Sequence, residues 1–193
     1  MITTQFNKPR VHISDESLKL YACNLGEPIS SVEPTVAVEV SVHETPCELG
    51  SRDASIIKER MSHGDRIFVA SYEKNPVAYL FAATRRCWVH EICDWLHVAT
   101  GEVYLYDAFT FAAYRGHHIY SFLLSHAAHF FRKLTYSYTL IFTTSTNLSS
   151  IRGIERVDFR CYETVRFYDV FGLHVWHYST RSNGVQSRLS HET

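Results

Sequence analysis

The residues with the clearest chemical potential in this chain lie in the run Tyr114-Arg115-Gly116-His117-His118-Ile119-Tyr120-Ser121-Phe122-Leu123-Leu124. An arginine and a glycine in a turn that leads straight into a helix make an anion site. The first N–H groups of a helix have no partner inside it, and the helix dipole favours negative charge there. The chemistry is the holding of a phosphate. Two elements must position this turn. Before it, Val103 to Phe111 reads as an apolar strand. After it, Ile119, Phe122, Leu123, Ala127, Phe130 and Leu134 fall at helical spacing. Ser121, Ser125, His129, Arg132 and Lys133 fill the outer face of that amphipathic helix.

The remaining elements are read from period and punctuation. Val36–Val42 alternates as a strand, and Ser51–Met61 has helical composition. Arg66–Tyr72 and Val77–Thr84 form a hairpin across Glu73–Pro76. Arg85–Ala99 fits an extended strand or a short helix equally. Glu102–Phe111 and Thr139–Thr143 are strands, and Asn147–Val157 is a short helix. Tyr162–Phe171 and Leu173–Tyr178 form a second hairpin that turns at Gly172, its edge reading either as a homodimer contact or as fully covered. Ser14-Asp15-Glu16 can start a short helix that Gly26-Glu27-Pro28 ends. This order predicts an α/β fold, a mixed sheet with helices on both faces. Residues 1–179 make one domain, with 1–50 as its N-terminal part, and residues 180–193 read as a flexible tail.

Composition narrows the function classes. Apolar content of 46% against 20% charged places the chain among globular proteins. A formal net charge of −1 argues against bulk electrostatic binding to nucleic acid or anionic membrane. Aromatic residues are plentiful at 14%, yet no basic stripe accompanies them, so they do not form a nucleic-acid platform. No apolar run reaches the roughly 20 residues that span a bilayer. Met1 to Arg10 is polar and has no apolar core, which predicts a cytoplasmic protein. Five cysteines, odd in number and irregularly spaced, predict reduced thiols.

Several segments together resemble the GCN5-related N-acetyltransferases, the GNAT family, from about Ser55 to Tyr178. Arg60 to Ala70 is similar to the helix–turn–strand that begins many members, and Asn75 to Tyr79 to the turn and strand that follow. Tyr106 to Gly116 resembles the central strand and the start of the pyrophosphate loop. Asn147 to Arg152 and Glu155 to Phe159 resemble the later Asn-x-x-Ser and Glu-Lys-x-Gly-Phe segments. The loop is degenerate. The family pattern Gln/Arg-x-x-Gly-x-Gly/Ala reads here Arg115-Gly116-His117-His118-Ile119-Tyr120, with His118 for the central glycine. Asp158 likewise stands for the Gly of Gly-Phe, and Ile154 occupies the position of the tyrosine that protonates the departing thiolate.

The resemblance implies acetyl-CoA, or another acyl-CoA, as co-substrate and an N-acetyltransferase acting on a small-molecule or peptide amine. The N–H groups from Gly116 through His117, His118, Ile119 and Tyr120 to Ser121, with Arg115, would take the pyrophosphate. The backbone of Phe109, Thr110 and Phe111 would pair with the pantetheine arm where two strands splay, and one such N–H would hold the thioester oxygen. Asn147 would touch the arm. The attacking amine must first lose a proton. Glu102 and Asp107, beside Tyr104 and Tyr106, are the candidate bases; Ser150 and Cys161 are candidates to protonate the thiolate. The alternative is a degenerate module that binds acyl-CoA or a partner without turnover.

Other signals carry less. Cys87, His90, Cys93 and His97, with Glu91 and Asp94, could suggest a metal site. Cys-x-x-His-x-x-Cys without a second pair is poor zinc spacing, and there is no HExxH, so no metal is expected. The stretch reads instead as an irregular strand and loop lining the acceptor pocket. His117, His118, His126 and His129 read as solvated helix positions or as a pH-sensitive cluster. Arg85-Arg86 reads as an exposed turn or as a contact to a phosphate or an acidic acceptor.

Overall fold

The computed structural model describes residues 13–50, 52–170, 172–179, 181, 182 and 184–191. Met1 to Arg10, Ser51 and Phe171, on which some expectations fell, lie outside the described residues.

Eight strands form the main sheet: β1 (Ile13–Asn24), β2 (Glu39–His43), β3 (Arg66–Tyr72), β4 (Asn75–Ala83), β7 (Glu102–Thr110), β8 (Tyr138–Thr144), β9 (Arg160–Val170) and β10 (Leu173–Tyr178). Their order is β10-β9-β1-β8-β7-β4-β3-β2. Every neighbouring pair is antiparallel except β7 with β8. A small second sheet joins β5 (Cys87–Val89), β6 (Asp94–His97) and β11 (Arg188–Leu189). Helix α1 spans Ala54–Ser62, α2 Ile119–Lys133 and α3 Leu148–Glu155. Helices α2 and α3 cover one face of the main sheet, where Phe131, Leu124 and Ile154 meet Phe68, Leu80 and Leu105. Ile57 and Met61 of α1 cover Val69, Tyr79 and Phe81 on the other face. The small sheet extends that cover through Val89, Ile92 and Leu96, over Leu20 and Leu140. The mixed sheet with helices on both faces is therefore as expected.

Two readings of secondary structure change. The segment that begins at Ser14 is not a short helix; it is the 12-residue strand β1. It lies between β8 and β9, and from Leu20 to Cys23 it is buried on both faces. Leu18, Leu20 and Ala22 enter one core cluster, while Tyr21 and Cys23 enter the other. A strand buried on both faces shows a near-continuous apolar run instead of clean alternation. The ambiguous stretch from Arg85 is a tight hairpin, β5 and β6 joined by a single 3-10 turn at His90–Ile92. Within residues 180–193, expected as a flexible tail, three described side chains reach the core while most of the others are exposed. Val185, Ser187 and Leu189 are buried, and Arg188-Leu189 pairs with His97 and Leu96 of β6.

At the free edge of the main sheet, β10 leaves Leu173 and Val175 exposed. Among the described residues no helix is long and apolar enough to cross a membrane. All five cysteines are free thiols.

Candidate active site

The site is created by the one parallel pair. The β7–β8 ladder runs only from Glu102–Tyr138 to Leu105–Ile141. Beyond it each strand follows its outer neighbour: β7 continues along β4 to Thr110, and β8 along β1 to Thr144. A bulge bends β7 at the same point. Tyr106 opposes Phe81 and Phe109 opposes Tyr79, so Asp107 and Ala108 together face one residue of β4. Asp107 takes a left-handed φ of 47° to make the bulge.

A cavity of about 480 Å³ opens beside the divergence. Ala108, Phe109 and Thr110 of β7 form one wall. The turn contributes Tyr114, Arg115, Gly116 and His118, and α2 its first residues, Ile119 to Ser121. The opposite wall comes from α3 and its cap: Asn147, Ser149, Ser150, Arg152, Gly153 and Arg156. No side chain caps the N-terminus of α2, whose first residues line this space. Arg115, Arg152 and Arg156 add three guanidiniums, and none of the described lining residues is acidic. Arg115 Nε donates to the Thr110 carbonyl at 3.1 Å, which ties the turn to the end of β7.

The two departures from glycine have a common explanation. His118 sits at φ 62° and Asp158 at φ 61°. Both positions need the left-handed conformation that glycine supplies freely and that His and Asp tolerate better than most residues. Each side chain is then put to use. Arg156 Nη1 donates to His118 Nδ1 at 2.5 Å on the rim of the cavity. The Asp158 carboxylate accepts from Ser30 N at 2.7 Å. His118→Ala is therefore expected to be less stable than His118→Gly by about 1 kcal/mol in urea unfolding, because alanine bears the left-handed strain that glycine avoids.

The structure brings most of the sequence-nominated groups together and separates others. Phe109, Thr110, Arg115, Gly116, His118, Ile119, Tyr120, Ser121, Asn147 and Ser150 all line the cavity. Two expected contacts do not. His117 turns away to Thr35, with Nδ1 at 2.7 Å from Thr35 Oγ1 and its carbonyl accepting from Thr35 N. Phe111 lies against Phe109 and beside Gly50. Asn147 caps α3, its Oδ1 accepting from Ser150 N at 3.1 Å, so what it can offer a ligand is its NH2.

The two candidate bases are engaged elsewhere. Glu102 is 3% exposed and accepts from Gln186 N (2.6 Å), Ser187 N (2.9 Å) and Ser187 Oγ (2.5 Å). It opens β7, about 20 Å along the strand from Phe109 at ~3.3 Å per residue. Asp107 holds Arg52 with one oxygen and Arg60 with the other. Cys161, opposite Tyr21 on β9, is not among the lining residues.

The remaining signals resolve as framework. Arg85 forms a two-pronged pair with buried Asp65, at 3.0 and 2.9 Å, and Tyr106 donates to the same carboxylate at 2.5 Å. Burial, reinforced by Asp65, pushes the Tyr106 hydroxyl far above its ordinary range. Arg86 lies 4.3 Å over the Trp95 ring. In the hairpin, buried Asp94 accepts from His191 Nδ1 at 2.8 Å, and Cys87 is buried. Burial pulls His126 down. The residues missed from sequence are Arg152 and Arg156. Their spacing of four on a short helix places them on one face, which is the signal that could have found them.

A family model described as the acetyltransferase (GNAT) family matches residues 38–159. No curated protein matches the chain. Among solved structures, a Drosophila protein superimposes with a TM-score of 0.56 at 8% identity, over 83% of this chain and 52% of its own. A GCN5-related N-acetyltransferase from Sphaerobacter thermophilus gives 0.54 at 10% identity, over 89% and 54%. Another from Kribbella flavida gives 0.52 at 12%, over 77% and 56%. These are likenesses of fold, and the chain spans about half the length of those structures. With a family match across the bulged strand, the turn before α2 and the capped helix, the chain belongs to the GNAT acetyltransferase family.

Proposed function

We propose that this protein transfers an acetyl or other acyl group from acyl-CoA to an amine of a small molecule or peptide. One observation carries the reading: diverging parallel strands open onto an uncapped helix N-terminus flanked by three arginines. A pyrophosphate fits the N–H groups of α2 with Arg115, Arg152 and Arg156. A peptide-like arm fits the edge that β7 presents past Leu105. The bulge at Asp107 turns backbone N–H groups out of the ladder, and such a donor can stabilise charge growing on a thioester oxygen.

The test is acetyl-CoA binding by thermal shift and calorimetry. At 100 times its dissociation constant the ligand adds about 2.7 kcal/mol. For a chain of this size that raises the melting temperature by roughly 5 °C or more. Arg156→Glu is expected to weaken binding at least about tenfold and to flatten its salt dependence. No shift at millimolar acetyl-CoA would remove the proposal.

A second reading, a module that binds acyl-CoA without turnover, is favoured by two facts. Both sequence-nominated carboxylates are engaged away from the cavity, and Ile154 is fully buried. Tight binding with no thiol release across a panel of polyamine and peptide amines would support it.

A further inference from the structure

The small sheet turns two unlike faces to its surroundings. Side chains alternate along a strand, and Cys87, Val89, Asp94, Leu96 and Leu189 point into the protein, where all five are buried. The outer face carries Trp88, Trp95 and His97, all exposed. Trp88 and Trp95 stand directly opposite each other on β5 and β6, 39% and 37% exposed, with their rings 5.3 Å apart edge to face. A cross-strand aromatic pair helps to close a hairpin, but that role does not use the indole surface left in water. Arg86 Cζ lies 4.3 Å over the Trp95 ring. Its neighbour Arg85 turns inward to Asp65, whereas the exposed Arg86 guanidinium has no carboxylate partner among the described residues. Cys87 pairs with Leu96, so Arg86 and His97 mark the same end of the face, and Arg188 stands opposite His97. The described carboxylates of the sheet and its turn lie elsewhere. Asp94 is buried beneath and accepts from Trp95 N and His191 Nδ1, and exposed Glu91 sits in the turn at the other end.

We propose that this outer face docks an extended acidic peptide segment of a partner protein, with an apolar residue resting on Trp88 and Trp95 and a carboxylate reaching Arg86. Three features select that occupant. Tryptophan and arginine are enriched among the residues that anchor protein partners. A cation with no carboxylate beside it calls for an acid, and a guanidinium held against an indole is already placed for two-pronged binding of one. Strand β5 ends its sheet, with β6 as its one neighbour among the described residues, so an extended segment can lie along it. The patch is small and the chain carries a net charge of −1. A long polyanion such as nucleic acid, or an anionic bilayer, would find no excess of positive charge beyond the patch to hold the rest of it. None of Arg86, Trp88, Trp95 and His97 lines the cavity beside α2, so the two surfaces are separate.

Trp88 and Trp95 are two of the three tryptophans, so indole emission reports the contact directly. The probe is a short capped peptide that alternates glutamate and phenylalanine, with excitation above the phenylalanine band. Its addition should shift the emission to the blue and saturate with a Kd below about 1 mM. Raising the salt from about 0.05 to 0.5 M should weaken it severalfold. Arg86→Glu should weaken binding at least about tenfold and leave the melting temperature within about 2 °C, because the residue is exposed. Trp88→Phe keeps an aromatic pair across the hairpin and should weaken the peptide severalfold, read by calorimetry. No saturable change below about 1 mM, equal binding of the lysine–phenylalanine counterpart, or full affinity in Arg86→Glu would overturn the proposal. Tighter binding of phosphatidylserine vesicles or of oligothymidylate would also overturn it, and would assign the face to a membrane or to single-stranded nucleic acid.

Discussion

Glu102→Gln is expected to destabilise the protein by about 3 kcal/mol while leaving its affinity for acetyl-CoA unchanged. The carboxylate is almost fully buried, and its two oxygens take three donors, the N–H groups of Gln186 and Ser187 and the Ser187 hydroxyl. Glutamine keeps one acceptor oxygen but turns an NH2 against donors. Each buried donor left without a partner costs about 1–3 kcal/mol, and charge-assisted bonds are the strong ones. The loss spreads, because this carboxylate anchors residues 185–189, whose Val185 and Leu189 cover the core beneath the small sheet. Urea unfolding gives the stability and calorimetry the affinity. An unchanged denaturation midpoint together with lost acyl transfer would return Glu102 to the role of general base.

That outcome illustrates what the sequence reveals and what it hides. Helix α2, the β3–β4 hairpin and β7 are legible because local period and turn residues agree with their final environment. The buried positions of α2 recur at helical spacing, and β3, β4 and β7 are apolar runs bounded by turn residues. Strand β1 is hidden because its polar opening, Ser14-Asp15-Glu16, has the composition of a helix start, and only its later half is a mainly apolar run. The C-terminal segment is hidden for another reason. It is polar in composition, and it is ordered by carboxylates that lie far away in sequence, Glu102 for Ser187 and Asp94 for His191. No window of neighbouring residues contains that information. At the site, Arg115-Gly116 and the helix after it are visible as an anion turn, whereas the roles of His118 and Asp158 are not. A backbone that must be left-handed is a property of φ, and glycine is only its commonest sign. Residue type and strand position single out Glu102 and Asp107. Neither reveals that hydrogen-bond donors from other segments already surround them.

Asp107→Asn is the sharpest test of that last point, and its expected result is a loss of about 2 kcal/mol in stability with acetyl-CoA binding retained. Asp107 sits in the bulge at a left-handed φ that asparagine also tolerates, so the substitution preserves the backbone while it removes the charge and turns an NH2 toward one of the two guanidiniums. Two guanidiniums, Arg52 and Arg60, then lose their common partner, and Arg60 keeps only the faces of Phe81 and Tyr106, at 4.5 and 5.0 Å. These groups are partly exposed, so the cost falls below the 3–5 kcal/mol of a fully buried broken pair. Asp107→Ala should cost about 1 kcal/mol more, because alanine also bears the left-handed strain. The bulge sets Ala108 beside Phe109 in the cavity wall, so a loosened clamp should blunt acyl transfer through the position of the bulged backbone, and only severalfold. A general base would behave otherwise: its loss would remove about 100- to 10,000-fold in rate with the melting temperature unmoved. Melting temperature and turnover measured on Asp107→Asn and Asp107→Ala together separate a clamp, which ranks the two by backbone strain, from a base, which makes them equally inactive.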